Sequence, residues 1–153
     1  MHIELTPIAY VRGGRAAAFD DAWGGVTATI ELDNTQFSPA ALAGLDAFSH
    51  LVVVFFFHGV DIAAIERTAR RPRNNPAWPE VGIFAQRGRN RPNRLGVSTC
   101  RILKVEGDSV HVQGLDAIDG TPVLDLKPYM RAFDARDAVR EPDWARELMA
   151  RYW

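Results

Sequence analysis

The chain has 153 residues, is 47% hydrophobic and carries a formal net charge of −1. That is enough for the core of one domain, and it offers no overall charge to draw the molecule to nucleic acid. One cysteine, Cys100, excludes an internal disulfide and a cysteine-built zinc site, which fits a reducing compartment. The start, MHIELTPIAYVRGG, lacks the basic end and apolar core of a signal peptide, and the longest apolar run, Leu51–Phe57, is far too short to span a bilayer. A soluble, cytoplasmic protein is expected.

Ile8–Arg12 reads as a first short strand. Val26, Ala28, Ile30 and Leu32 alternate with polar or small residues, the period-two pattern of a half-buried strand. Ser38-Pro39 supplies an N-cap and first turn, and Gly44 a stop, for a short helix over Ala40–Ala43. Leu51–Phe57 is β-branched and aromatic, the composition of a central strand covered on both faces. Asp61–Arg70 is expected to hold another helix. Val81–Ala85, Val97–Val105, Ser109–Leu115 and Val123–Leu126 bring the strands to seven, with Glu106-Gly107-Asp108 as a hairpin turn in which Gly107 takes the positive φ. Pro142–Trp153 sets Trp144, Leu148, Met149 and Tyr152 on one face of a docking helix. This spacing predicts a mainly β fold: a small, closed or nearly closed barrel with a few short helices. It forms a single domain over residues 1–153, with its core from about 7 to 129 and its C-terminal helix from about 142 to 153.

Several common signatures are missing: no G-x-G-x-x-G, no Walker loop, no G-x-S-x-G and no histidine pair at metal-ligand spacing. His50 and His58 flank the long apolar strand with the same parity, but no third ligand is evident, so no metal is expected. Cys100 shares a strand face with Ser98 and Ile102 and reads as a buried, inert thiol. The chemistry concentrates in VGIFAQRGRNRPNRLG (Val81–Gly96), a loop carrying Arg87, Arg89, Arg91 and Arg94 on a backbone stiffened by Pro92. From Glu66 to Arg101 nine arginines meet two glutamates, a local balance of +7. Such a stretch in a near-neutral chain suggests an anionic ligand; the alternative is pairing with carboxylates from elsewhere in the fold. In GLDAIDGTPVLDLKPY (Gly114–Tyr129), Asp119-Gly120-Thr121-Pro122 is turn chemistry, while Asp116, Asp119 and Asp125 form a carboxylate set suited to ribose hydroxyls or a cation.

The order P-I-A-Y-V, GLDAFSHLVVVFFFH (Gly44–His58), the arginine loop and GLDAIDGTPVLDLKPY resembles the TsaA-like family, whose best-understood members are TrmO-type tRNA methyltransferases. The resemblance runs from about Pro7 to Tyr129. It implies a β-barrel methyltransferase that is not of the Rossmann type, binds S-adenosyl-L-methionine, acts as a homodimer, and methylates N6 of threonylcarbamoyl-adenosine at position 37 of a tRNA. It implies cofactor contacts at His58 and Gly59, Arg87, Val97, and Ile118, Asp119, Gly120 and Thr121. Arg89, Arg91 and Arg94 would then face phosphates of the substrate. No general base is evident, and no catalytic residue is assigned.

This chain departs from the TrmO-type pattern in two places. Gln86, Gly88, Arg89, Arg94 and Leu95 stand where the family's loop has Thr, Ser, Pro, Pro and Ile, and AFDDAWGG (Ala18–Gly25) occupies the region of a cofactor-contacting Pro-Arg-Gln. Another RNA or a small molecule as methyl acceptor, a non-catalytic S-adenosylmethionine-binding protein, and an arginine loop that serves as a dimer interface all remain open.

Overall fold

A computed structural model describes residues 1–153. Its strands in chain order are β1 (Ala9–Arg12), β2 (Thr27–Leu32), β3 (His50–Phe56), β4 (Ala69–Arg70), β5 (Val81–Gly82), β6 (Leu95–Glu106), β7 (Ser109–Gln113) and β8 (Pro122–Pro128). Six of them close a barrel in the order β1-β2-β7-β6-β3-β8, every neighbour antiparallel and β8 returning to β1. The β6–β7 hairpin turns at Gly107 with φ +60°, as its sequence requires.

Alternation sets the core. Val11, Ile30, Leu51, Val53, Phe55, Cys100, Val110, Val112 and Val123 point inward and are essentially fully buried. The LVVVFFF run therefore alternates after all: Leu51, Val53 and Phe55 are buried while Val52, Val54 and Phe56 are half-covered. Barrel closure gives β3 two hydrogen-bonded neighbours without covering its outer face, so a continuous apolar run need not mean a strand buried on both sides. Phe55 is accommodated by Gly96 on the adjacent strand; a Cβ there would lie 2.4 Å from the ring. Register shifts at Val54/Phe55 against β8 and at Ile102/Lys104 against β7 add the bends a small barrel needs.

Two expected elements take other forms. The expected strand Val81–Ala85 gives only β5, which pairs with β4 outside the barrel, and then a 3-10 turn over Ile83–Ala85. The buried Gln86 side chain enforces this by donating to the carbonyls of Arg70 (3.0 Å) and Val81 (2.8 Å), clamping the ribbon. The expected helix over Asp61–Arg70 is a 3-10 turn at Ile62–Ala64 followed by β4. Here Glu66 Oε1 accepts from the Arg67 and Thr68 amides and the Thr68 hydroxyl, engaging backbone donors that a helix would use. The segment after Ser38 is a 3-10 turn too, Pro39–Leu42, with no side-chain cap from Ser38.

The terminal helix α1 spans Asp143–Met149, shorter than expected, with Trp144 and Leu148 half-buried and Met149 exposed. It is moored by Trp78 Nε1 donating to Glu147 (2.7 Å) and by the amides of Ala22 and Trp23 donating to the carbonyls of Arg151 (2.9 Å) and Tyr152 (2.8 Å). No helix is long and apolar enough to cross a membrane.

Candidate functional site

One mouth of the barrel is formed by the ends of β1 and β3 and the starts of β6 and β8. Past β3 the chain turns through Phe57–Val60, held by the Phe57 amide on the Arg94 carbonyl (2.8 Å) and the Val60 amide on that of Phe57 (3.3 Å), leaving His58 and Gly59 exposed. Facing it is the turn Ile118–Thr121. The Asp119 amide donates to Arg15, the Gly120 amide to Val11 (2.8 Å each) and the Thr121 amide to Ile118 (3.2 Å). Asp119 Oδ1 accepts from the Gly13 amide at 2.8 Å, so one of its oxygens already shapes the turn. Gly120 has φ +77°, and a Cβ there would come 4.0 Å from His58 Nε2; one on Gly59 would come 3.9 Å from Ile118 Cδ1. The two turns thus meet across a pair of glycines. The sequence-assigned residues 58–59 and 118–121, far apart in the chain, face each other at one rim.

Arg87 reaches the same mouth. Its Nη2 donates to the Val97 carbonyl at 2.7 Å, early in β6, and the rest of the guanidinium is exposed. Val97 offers that carbonyl to Arg87, while its side chain points out of the barrel and is 47% exposed. Arg87 also acts electrostatically on Tyr152, whose hydroxyl donates to Asp116 Oδ2. Burial, then the Asp116 charge, push the Tyr152 phenol well above its ordinary range, so it stays a neutral donor. Asp116 Oδ1 is buried with no donor, an acceptor two residues ahead of the Ile118 turn. The mouth therefore offers a guanidinium for a carboxylate, backbone and carboxylate acceptors for hydroxyls or amines, and a glycine-lined gap between them.

Sequence reasoning missed the support for this mouth. Arg15 donates to the carbonyls of Asp21 (2.8 Å) and Ala22 (2.6 Å) and stacks 4.4 Å over the buried Trp23. Ala18–Gly25 thereby becomes a platform for the tail that delivers Tyr152. A tryptophan between charged residues and a Gly-Gly pair was the available signal. The other proposed ligand groups separate. His50 stands at the opposite end of β3 from His58, bonded to Ser49, and the two do not form a pair. Cys100 lies inside the barrel, its thiol pushed up to about 12 by burial and the Asp116 charge.

The arginine loop divides in two. Arg91 donates to the Gln86 carbonyl (3.2 Å); Arg94, at φ +50°, donates to Val60 (3.3 Å) and stacks 4.4 Å over Phe56. Both are half-buried braces, while Arg89 is exposed. Of the nine arginines between Glu66 and Arg101, only Arg73 forms ion pairs, with Asp21 (2.8 Å) and Asp20 (3.9 Å). Pairing within the fold does not account for this charge. At the other mouth lies an apolar hollow of about 480 Å³, lined by Ile8, Leu32, Phe37, Leu42, Phe48 and Leu126 among others and by no titratable side chain.

Fold and mouth together define a small closed antiparallel barrel in which two turns face each other at one rim. The family model described as the tRNA-methyltransferase O N-terminal domain matches residues 21–135, and the chain belongs to that TrmO, TsaA-like family. It is 39% identical over 102 residues to the human tRNA (adenine(37)-N6)-methyltransferase, covering 67% of this chain and 23% of the relative. It is 33% identical over 101 residues to a probable S-adenosyl-L-methionine-binding protein of Pyrococcus abyssi, covering 65% and 51%. A crystal structure of TrmO from Pseudomonas aeruginosa superposes with a TM-score of 0.72 at 30% identity, over 94% of this chain and 62% of that one. The chain thus spans from about a quarter to under two thirds of these relatives.

Proposed function

We propose that this protein binds S-adenosyl-L-methionine at the His58–Gly59/Ile118–Thr121 mouth and methylates an adenosine of tRNA, N6 of threonylcarbamoyl-adenosine at position 37. The observation that carries the reading is the meeting of two facing turns at one rim, in a chain whose basic 66–101 stretch has only Arg73 in ion pairs. The named activity of the human relative and the cofactor named for the Pyrococcus relative point the same way.

The residues present suit that cofactor. Arg87 would hold its carboxylate, and the 118–121 backbone and Asp119 its ribose and adenine edges. His58 and Gly59 would close the opposite side, and the Val97 carbonyl would keep Arg87 aimed. When bound, the cofactor supplies a methyl group on a sulfonium: the C–S bond breaks as the C–N bond forms, and the acceptor nitrogen sheds a proton. The protein's part is chiefly to align donor and acceptor. Arg89 is free to meet acceptor phosphates, while Arg91 and Arg94 would add field from braced positions. A homodimer belongs to this reading through the family resemblance.

Calorimetric titration with S-adenosylmethionine and S-adenosylhomocysteine tests the cofactor, and methyl transfer to tRNA lacking its native modification tests the acceptor. Binding of both ligands followed by labelled tRNA is expected. No heat at millimolar ligand would overturn the reading. Tight cofactor binding without transfer to any tRNA would favour a non-catalytic sensor. Sedimentation velocity checks the dimer.

A further inference from the structure

We propose that Phe84 is a stacking platform for an unpaired base of the RNA, an inference that rests on the nucleic-acid reading above and adds a recognition element to it. Phe84 occupies the 3-10 turn Ile83–Ala85 and is 79% exposed. Lone exposed apolar residues are common and decide nothing, so the weight falls on how this one is held and what surrounds it.

The turn is fixed on both sides of the ring. Ile83 is buried at 1%, its amide donating to the Thr68 carbonyl at 2.9 Å. Gln86 is buried at 7%; its amide donates to Ile83 (3.2 Å), and its side chain bridges β4 and β5. Between these anchors the backbone has one way to place residue 84, and it presents the ring to water. A phenyl group held out by rigid backbone loses little further entropy when it binds a flat partner. Its sequence neighbours on the outer side are the exposed Arg87 and Arg89, neither of which meets a carboxylate, and exposed Arg67 adjoins the Thr68 anchor.

An exposed aromatic face followed closely in the chain by an unpaired cation, Arg89, with Arg67 beside its anchor, is the combination that grips single-stranded nucleic acid: bases stack on the ring and phosphates meet the guanidinium groups. A second copy of this chain fits less well. A two-fold contact centred on Phe84 would set Arg87 and Arg89 of one copy against the same residues of the other, and the 66–101 stretch holds only Glu66 and Glu80 to offset them. Charge complementarity therefore selects a polyanion with exposed bases.

The test uses an RNA stem–loop with 2-aminopurine in its loop, whose fluorescence drops on stacking. Wild-type protein should quench it. Phe84→Ala should raise the RNA Kd about tenfold and lose the quench, with an unchanged slope of log Kd against log salt and unchanged S-adenosylmethionine affinity. Phe84→Trp should restore binding where Phe84→Leu does not, separating stacking from bulk. Arg89→Ala should instead reduce the salt slope by roughly one phosphate's share and keep the quench. Equal RNA affinity for wild type and Phe84→Ala overturns the inference. So does a Phe84→Ala variant that sediments as a smaller species, which would make the ring a protein contact. A wild-type chain that binds cofactor but no RNA removes the nucleic-acid reading and this inference with it, whereas loss confined to Phe84→Ala supports both.

Discussion

The two mouths of the barrel are built from opposite materials. One surrounds an apolar hollow with walls of leucine and phenylalanine; the other collects two hydrogen-bonded turns, the Arg87 guanidinium and the exposed Arg89. The hollow has nothing with which to orient a polar ligand, and the shallow rim has several such groups. What distinguishes the rim is residues that do little for folding: exposed His58, an outward Arg87, and glycines where side chains would add contacts.

Substitutions can break or sharpen that contrast. The largest effect belongs to the apolar mouth, where Leu42→Ala removes a core side chain that is 6% exposed. Denaturant unfolding should show a loss of about 2–4 kcal/mol, with S-adenosylmethionine affinity per folded molecule unchanged. A matching loss of affinity would show that the two ends are coupled. Next, Arg87→Ala should weaken cofactor binding roughly tenfold to a hundredfold, the ~1.5–3 kcal/mol of a hydrogen bond between charged groups. Thermal stability should barely move, because the residue is exposed. A wild-type affinity in that variant would take Arg87 out of the site.

A smaller change is expected from Tyr152→Phe, which strips Asp116 of its donor and should cost about 1–2 kcal/mol of stability. The native phenol binds its proton more tightly than the unfolded one, so its contribution is complete below the ordinary tyrosine range, about 10, and declines as pH climbs toward the raised native value. Unfolding followed from pH 8 upward should therefore show a steeper fall in wild type than in Tyr152→Phe, which keeps only the contribution of Cys100. The smallest signal is Cys100. With its native pKa near 12, the thiol contributes fully below the unfolded value and loses that contribution only as pH rises from there toward 12. At pH 8 a thiol reagent should label only chains that have opened; rapid labelling of the folded protein would mean that the barrel interior is accessible.

Much of this was legible in the chain, and for identifiable reasons. The barrel strands β1, β2, β7 and β8 show because side chains alternate, and the DGTP turn shows because glycine and proline leave few backbone options. The family motifs picked out residues 58–59, 87 and 118–121; the fold brings the 58–59 and 118–121 turns face to face and sets Arg87 on the Val97 carbonyl early in β6. The failures lie where one side chain overrules local pattern. Gln86 turns an apolar pentapeptide into a clamped ribbon and a turn, and Glu66 captures amides that a helix would have used. No local pattern links Tyr152 to Asp116, because their partnership depends on a tail docking against Ala22 and Trp23. The sequence sets Arg87 apart from three substrate-facing arginines, whereas backbone carbonyls and the Phe56 ring claim two of those three, Arg91 and Arg94.

Closure of the barrel has a further consequence. A sheet joined to itself has no free border, so no partner can add a strand to it, and recognition must run through side chains on loops and rims. Such a scaffold can change its clientele by replacing loop residues while every ladder bond of the cylinder is kept. In this chain the departures from the family pattern fall outside the ladder at Ala18–Gly25, Gln86, Gly88, Arg89 and Arg94; only Leu95, the first residue of β6, touches it. The barrel thus leaves selectivity free to drift while the strand ladder stays fixed.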